Sequence, residues 1–549
     1  MDLTDSSQTD WWRRGVVYQI YPRSFADSNG DGLGDLAGIE AHLDHLQDGT
    51  AGSLGIDAIW LSPIYPSPDF DMGYDVADYV DVDPRYGTIE GFERLVAACH
   101  ARGLRVILDL VLNHSSSRHA WFTASRAGRD GPYADWYLWR DSPGRTLTGK
   151  RRLPNNWRSF FGGPAWTWEP AREQFYLHTF LPEQPDLNWR HPPVRAALLD
   201  VVRTWRDRGV DGFRLDVFNT YFKDAQLRSN PRRVGGRGAW SWQRHVNDRN
   251  QPELAGALAD LRRLVDEHPG GMTVGELFDG KLQDAAGYVA PHHLIFDFTL
   301  IGLPWTAAAF GGAIAARDAA FRPDRWPANV LSNHDQPRHA GRYDGPSGDA
   351  RAKVAATLLA TLRGTPFLYY GEELAQRNLV VPNAVAIDPP ARRASFLFPW
   401  WNRDQARGPM AWRPGPGGGF TTGDPWLPLS PDAATRNVET ESTDPGSVLS
   451  WYRRVIWLRR ATPQLQVGDQ SIVDTGDRDV LAYVRRTEGA AAVVALNFAD
   501  RPATIRLPSG VGAAPGWALA LSTQGRDPGT PLPAELTLDS NEALIAIGS

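Results

Sequence analysis

Eight short runs rich in β-branched and aromatic residues punctuate the chain. They are Val16–Tyr21, Ala58–Leu61, Arg105–Leu110, Gly212–Leu215, Thr273–Val274, Leu294–Phe296, Asn329–Leu331 and Pro366–Tyr370. Between them the apolar spacing changes to that of helices. Phe92, Leu95, Val96 and Cys99 share one helical face and stop at Gly103. Val194, Leu198, Val201, Val202 and Trp205 repeat that spacing up to Gly209, and Leu254, Leu258, Leu261 and Val265 repeat it before Pro269-Gly270. Strands alternating with helices predict a parallel sheet, and eight of them predict closure into a (β/α)8 barrel. From about Gln464 the pattern becomes strand-like runs separated by turn residues: Asp479–Arg485, Ala491–Asn497, Ala503–Leu507, Trp517–Leu521 and Ala543–Ile547. These predict a C-terminal all-β sandwich with a stabilising role.

Two connections are too long for ordinary loops. The stretch 113–185 is rich in Trp, Arg, Gly and Pro and reads as a small subdomain inserted after strand 3, over the barrel mouth. Val217 to Asn250 is polar and basic and predicts a second rim; 380–440 is a third irregular stretch. The expected division is therefore barrel 1–112, inserted subdomain 113–185, barrel 186–463 and sandwich 464–549.

Three phrases place acids after such runs: Gly212-Phe213-Arg214-Leu215-Asp216, Val274-Gly275-Glu276-Leu277 and Ser332-Asn333-His334-Asp335-Gln336. Successive acids are about sixty residues apart, or about two strand–helix units of a barrel whose eight units fill roughly 250 residues. Barrel enzymes keep their chemistry at the carboxyl ends of strands, so three carboxylates there point to acid–base and nucleophilic work. Arg214, two positions before Asp216, points to the same face of the strand and would lower the pKa of that carboxyl.

Composition narrows the partners. A net charge of −6 gives no basic surface for nucleic acid. One cysteine, Cys99, excludes an internal disulfide framework and fits a reducing, cytoplasmic compartment. The opening MDLTDSSQTDWWRRG has no apolar core and is not expected to be a secretory signal. No apolar stretch of about 18 residues predicts a membrane span.

The acid phrases resemble those of glycoside hydrolase family 13, the α-amylase family, and do so in the same order. Asp109-Leu-Val-Leu-Asn113-His114 resembles its third-strand motif, and Gln184-Pro-Asp186-Leu-Asn188 the motif of its oligo-1,6-glucosidase branch. Gly364-Thr-Pro-Phe-Leu-Tyr-Tyr-Gly-Glu-Glu373 resembles the eighth-strand motif. Arg403-Asp-Gln-Ala-Arg-Gly-Pro-Met-Ala-Trp412 resembles an α-glucosidase hallmark, with Gly408 where Thr is commoner. The resemblance implies Asp216 as nucleophile, Glu276 as acid/base and Asp335 as transition-state stabiliser. It implies sugar contacts from Asp75, Tyr74, His114, Phe161, Gln184, Arg214 and His334, with Arg403 pairing with Asp75 to close the far wall. The implied activity is a retaining, exo-acting α-glucosidase on short α-glucosides; a transglucosidase or isomerase acting on sucrose or maltose is the alternative. The implied partners are small oligosaccharides, with the chain a monomer or homodimer. Linkage preference stays open: Val217 resembles enzymes that accept α-1,6 bonds, but one contact shifts preference by only about 1–3 kcal/mol.

Asp27-Ser-Asn29-Gly-Asp31-Gly-Leu33-Gly-Asp35 repeats side-chain oxygens at every second position, as a hard cation requires. It resembles the first-loop Ca2+ site of the oligo-1,6-glucosidase branch, with Asp27, Asn29, Asp31, the Leu33 carbonyl and Asp35 as expected ligands of a structural Ca2+ (Mg2+ being possible). Gly38 at the twelfth position, where an EF-hand has Glu, excludes that motif.

Overall fold

The computed structural model describes residues 10–235, 238–345, 347–393, 402–507 and 516–548. The amino-terminal residues 1–9 of the leader expectation lie outside them. Eight parallel strands form a closed barrel: β1 (Val17–Ile20), β2 (Ala58–Leu61), β3 (Arg105–Leu110), β4 (Gly212–Leu215), β5 (Met272–Gly275), β6 (Leu294–Asp297), β7 (Pro327–Asn329) and β8 (Thr365–Tyr369). The predicted seventh run is two residues late. The ladder pairs Asn329 with Asp297 and stops there, so the apolar Val330-Leu331 already belong to the loop.

Side-chain alternation sorts each strand. Val17, Ala58, Trp60, Ile107, Val274, Phe296 and Phe367 fill the barrel, whereas Ile59, Leu108, Phe213 and Leu215 face the helices outside. The same alternation puts Gln19, Asp109 and Arg214 inside, one layer nearer the carboxyl ends. Asp109 and Arg214 are register partners on adjacent strands. The barrel thus carries a polar layer directly above an aromatic one, and the Arg214 guanidinium lies 5.4 Å from the Trp60 ring.

The predicted helices form as α1 (Ile89–Ala101), α2 (Pro192–Asp207) and α3 (Leu254–Asp266). They are followed by α4 (Ala307–Ala320), α5 (Gly348–Thr361) and α6 (Val448–Ala461). Within 113–185 lies a small antiparallel sheet of Trp139–Arg140, Gln174–Leu177 and Trp166–Glu169.

The C-terminal region has a five-stranded antiparallel sheet and a two-stranded one. Two strands, Asp469–Val473 and Glu535–Leu538, are not in the sequence reading. Their alternation leaves only Ile472 and Val473, or Leu536 and Leu538, as apolar markers. Val480, Ala482, Val493 and Leu544 pack against Ile505 and Leu538 of the second sheet. Leu481, Tyr483, Val494 and Ile545 pack instead into the apolar layer of helices around the barrel. Buried Arg459 and Arg485 cap carbonyls at this junction: Arg459 donates to Ala360 and Leu465, and Arg485 to Leu465 and Gly468.

Candidate active site

The acids reach the barrel mouth because the ladder continues one rung past each strand. The Asp216 N–H donates to the Leu110 carbonyl (3.0 Å), and the Glu276 N–H to that of Leu215 (2.9 Å). Gly275 before Glu276 has no alternative: a Cβ there would lie 2.8 Å from Phe218 and Ile295 atoms. Val217, after Asp216, holds a left-handed φ of 38° that a β-branched residue rarely adopts. Two bonds from Thr220, N–H (2.9 Å) and Oγ1–H (2.7 Å), pin its carbonyl. Asp335 differs from the expectation that it ends a strand. It sits six residues beyond β7, in a turn where Asn333 Oδ1 accepts its N–H (2.8 Å).

Arg214 organises the floor. Its Nη1 donates to Asp216 (2.7 Å) and Asp109 (2.6 Å), and its Nη2 to Glu276 (2.5 Å). Asp216 and Glu276 are therefore no farther apart than one guanidinium and its two bonds allow. The sequence suggested that Arg214 would hold the Asp216 carboxyl low. Instead, one cation is shared among three buried acids. Burial first, then repulsion from Glu276 and Asp109, pushes Asp216 up against the pull of Arg214. Burial likewise raises Glu276, and Asp109 goes up to about 6. One guanidinium faces three buried carboxyls and so balances only one of three negative charges, which is why burial and mutual repulsion push all three upward. Asp335 behaves oppositely. Burial would raise it, but His334, Arg403 and Arg407 hold it well below the usual carboxylate range. His334 is itself pushed down to about 3, mainly by burial, which makes it neutral and leaves the two guanidiniums as the standing charges beside Asp335.

A cavity of about 540 Å³ opens over this floor, within the size range of small-molecule sites. Asp216, Glu276, Asp335, Tyr74, His114, Phe161, Gln184 and Arg403 all line it. Three expected sugar contacts do not. Asp75 is fully buried and folds back, accepting from the Asp71 N–H (2.8 Å) and Ser67 Oγ (2.9 Å). Left-handed Met72 and Gly73 reverse the chain between the two acids, so Asp71 faces the cavity and pairs with Arg403 (2.6 Å). His334 lies behind Tyr74: Gln19 donates to its Nδ1 (2.8 Å), leaving Nε2–H for the Tyr74 hydroxyl (2.6 Å). Arg214 lies beneath the acids with its bonds directed to them. Sequence reasoning missed Asp71, Asp109 as a partner of Arg214, Arg407, Phe278 and Asp279. Asp69, Asp71 and Asp75 share one short loop, and nothing in their spacing says which turns inward.

The Asp27–Asp35 loop has the right donor chemistry for a hard cation, but its oxygens are already engaged. Asp27 accepts from the N–H groups of Asn29 (3.0 Å), Gly30 (2.8 Å) and Gly32 (2.8 Å), and from Thr421 Oγ1 (2.5 Å). Asp35 caps Gly38 N–H (2.6 Å) and accepts from Ser28. Asn29 and Asp31 make Asx turns to the Asp31 and Leu33 N–H groups. Among the described residues no three acidic, imidazole or thiol groups converge as a metal cage.

Residues 19–468 match the model of the alpha amylase catalytic domain. The chain belongs to the α-amylase family, glycoside hydrolase family 13. Relatives within that family include a probable alpha-glucosidase of Rhizobium meliloti (strain 1021), 44% identical over 518 residues and 91% of each chain. An oligo-1,6-glucosidase of Parageobacillus thermoglucosidasius is 35% identical over 533 residues, 91% of this chain and 92% of the relative. The crystal structure of an alpha-glucosyl transfer enzyme, XgtA, superposes with a TM-score of 0.89 at 40% identity, covering 98% of this chain and 99% of that one. This family-13 chain is thus a glycoside hydrolase of the α-glucosidase branch. Among the described residues no helix is long and apolar enough to cross a membrane.

Proposed function

We propose that the chain releases glucose from the non-reducing end of short α-glucosides with retained configuration. The observation that carries this is Asp216 and Glu276 held on one guanidinium beneath a cavity whose far wall is the Asp71–Arg403 pair. In the first step the Asp216 carboxylate bonds to the anomeric carbon while Glu276 hands its proton to the departing oxygen, freeing the remainder of the substrate. In the second, Glu276 takes a proton from water, whose oxygen displaces Asp216 and releases glucose. A carboxyl pair about 5–5.5 Å apart suits this double displacement, whereas inversion needs room for water between the groups. Asp335, kept ionised by Arg403 and Arg407, faces the same cavity and supports the positive charge that builds at the sugar.

Transfer to a sugar instead of water is the second reading. It is favoured by the aromatic residues Phe160, Phe278 and Phe298 along the cavity and by the likeness to a glucosyl transfer enzyme. A product panel with maltose, isomaltose, sucrose, trehalose and maltotriose separates the two. Free glucose from the first two supports hydrolysis, and a predominance of isomerised disaccharide from sucrose overturns it.

The lone, buried Cys99 supports action in a reducing compartment, the cytoplasm. The alternating oxygens of Asp27–Asp35 support a structural Ca2+. With calcium bound, EDTA lowers the melting temperature without stopping turnover; an unchanged melt leaves the loop held by its Asx turns alone.

A further inference from the structure

Lys223, seven residues after the proposed nucleophile, is buried and has all three ammonium hydrogens engaged. They go to Asp186 Oδ2 (2.8 Å), Asn113 Oδ1 (2.7 Å) and the Thr220 carbonyl. Three chain segments meet there: the end of β3, the Gln184–Asn188 return of the inserted region and the loop after Asp216. The bond to Asn113 has a chemical consequence. An ammonium only donates, so the side-chain oxygen of Asn113 must face it and the amide NH2 must face the other way. That NH2 lies 3.2 Å from Asp186 Oδ1 and 3.1 Å from His114 Nδ1.

His114 lines the cavity, and burial pushes its pKa down to about 4, so it is neutral with one ring proton. Two wirings compete for that proton. Nδ1 can accept from Asn113, which leaves Nε2–H to donate, with the Tyr74 carbonyl at 3.1 Å. Alternatively, Nε2 can accept from the Gln184 amide, also at 3.1 Å. The second wiring puts a proton on Nδ1 facing the Asn113 NH2. Turning that amide over would aim its NH2 at the Lys223 ammonium.

We infer that Lys223, acting through the side-chain amide of Asn113, fixes the ring tautomer of His114 with the proton on Nε2, where it bonds the Tyr74 carbonyl at the wall of the sugar cavity and can be shared with a hydroxyl bound there. Lys223 and Asn113 are positioning residues. The effect on substrate binding rests on the proposed role of His114 as a donor to a sugar hydroxyl; the tautomer itself does not.

The test reads the tautomer directly. Full-length protein labelled with 15N-histidine is examined by NMR, with His114→Gln identifying the signal, and kinetics are run with maltose. The wild type is expected to show Nε2–H. Asn113→Asp places a carboxylate against Nδ1 and moves the proton there. Lys223→Met frees the amide and gives the Nδ1–H form or a mixture. With each variant KM rises about tenfold, the loss of one good hydrogen bond, while kcat changes little. An Nδ1–H signal in the wild type, or Nε2–H retained in Asn113→Asp, overturns the inference. If Lys223→Met does not fold, Asn113→Asp decides alone. A switched tautomer with unchanged KM upholds the wiring and removes His114 from the list of sugar donors.

Discussion

At its inner wall the cavity is lined by Asp71, Arg403 and Asp335, charged groups that satisfy one another: Arg403 bonds Asp71 (2.6 Å), Asp388 (2.9 Å) and Asp335 (3.3 Å). Toward solvent it is lined by Phe160 and Phe278, whose rings meet edge to face at 4.7 Å, with Asp279 and Gln336 exposed beside them. The inner wall is over-determined, since moving one group would strand a buried charge on another. The outer wall offers flat apolar surface and few directional bonds. The contrast teaches how one site can be strict toward the glucose it cleaves and tolerant of what that glucose is attached to. Buried polar groups reject a misfit strongly, whereas apolar contacts discriminate weakly.

The largest expected effect tests the floor that both regions share. Asp216→Asn should lower kcat on the order of 10⁴-fold while the melting profile stays near that of the wild type. Substantial remaining turnover would remove Asp216 as nucleophile. Next comes the inner wall. Asp71→Asn keeps the shape but takes away the carboxylate charge that faces Arg403, and kcat/KM for maltose should fall about 100-fold. Asp75→Asn should cost far less activity, and equal losses at 71 and 75 would blur the distinction drawn between them. At the outer wall, Phe278→Ala should change kcat/KM only about two- to fivefold yet alter the ratio of hydrolysis to transfer. A loss as large as that of Asp71→Asn would abolish the contrast.

The smallest effect concerns stability beneath the inner wall. Burial pushes the Asp75 carboxyl up to about 7, against about 3.9 in an unfolded chain. The folded protein keeps a proton that the unfolded chain releases. The contribution of Asp75 is therefore full below about pH 4 and declines as pH rises from there to about 7. Asp75→Asn should flatten the melting temperature across that window, by a few degrees relative to the wild type; parallel curves would show that Asp75 does not titrate there.

Legibility followed periodicity. The barrel strands were readable because buried parallel strands are short apolar runs with helices between them, and Asp216 and Glu276 were readable because each directly follows such a run. Asp335 was found through its motif, although it stands well past β7 in a turn no pattern marks. The strands Asp469–Val473 and Glu535–Leu538 were invisible because half their residues face solvent and too few apolar positions remain.

The sequence by itself determined that Asp216 and Glu276 reach the barrel mouth, because strand alternation and the spacing of strand–helix units are local properties of the chain. It also determined that Arg214 lies on the same side of its strand as Asp216. Only the tertiary structure decided that this arginine serves three acids at once, so that burial and mutual repulsion push Asp216 and Glu276 up rather than down. The tertiary structure alone also decided that Asp71, not Asp75, meets Arg403, and that His334 stands behind Tyr74. Each of those outcomes depends on segments far apart in sequence sharing a few ångströms of buried space, where burial and neighbouring charge, which no local pattern encodes, set both direction and protonation.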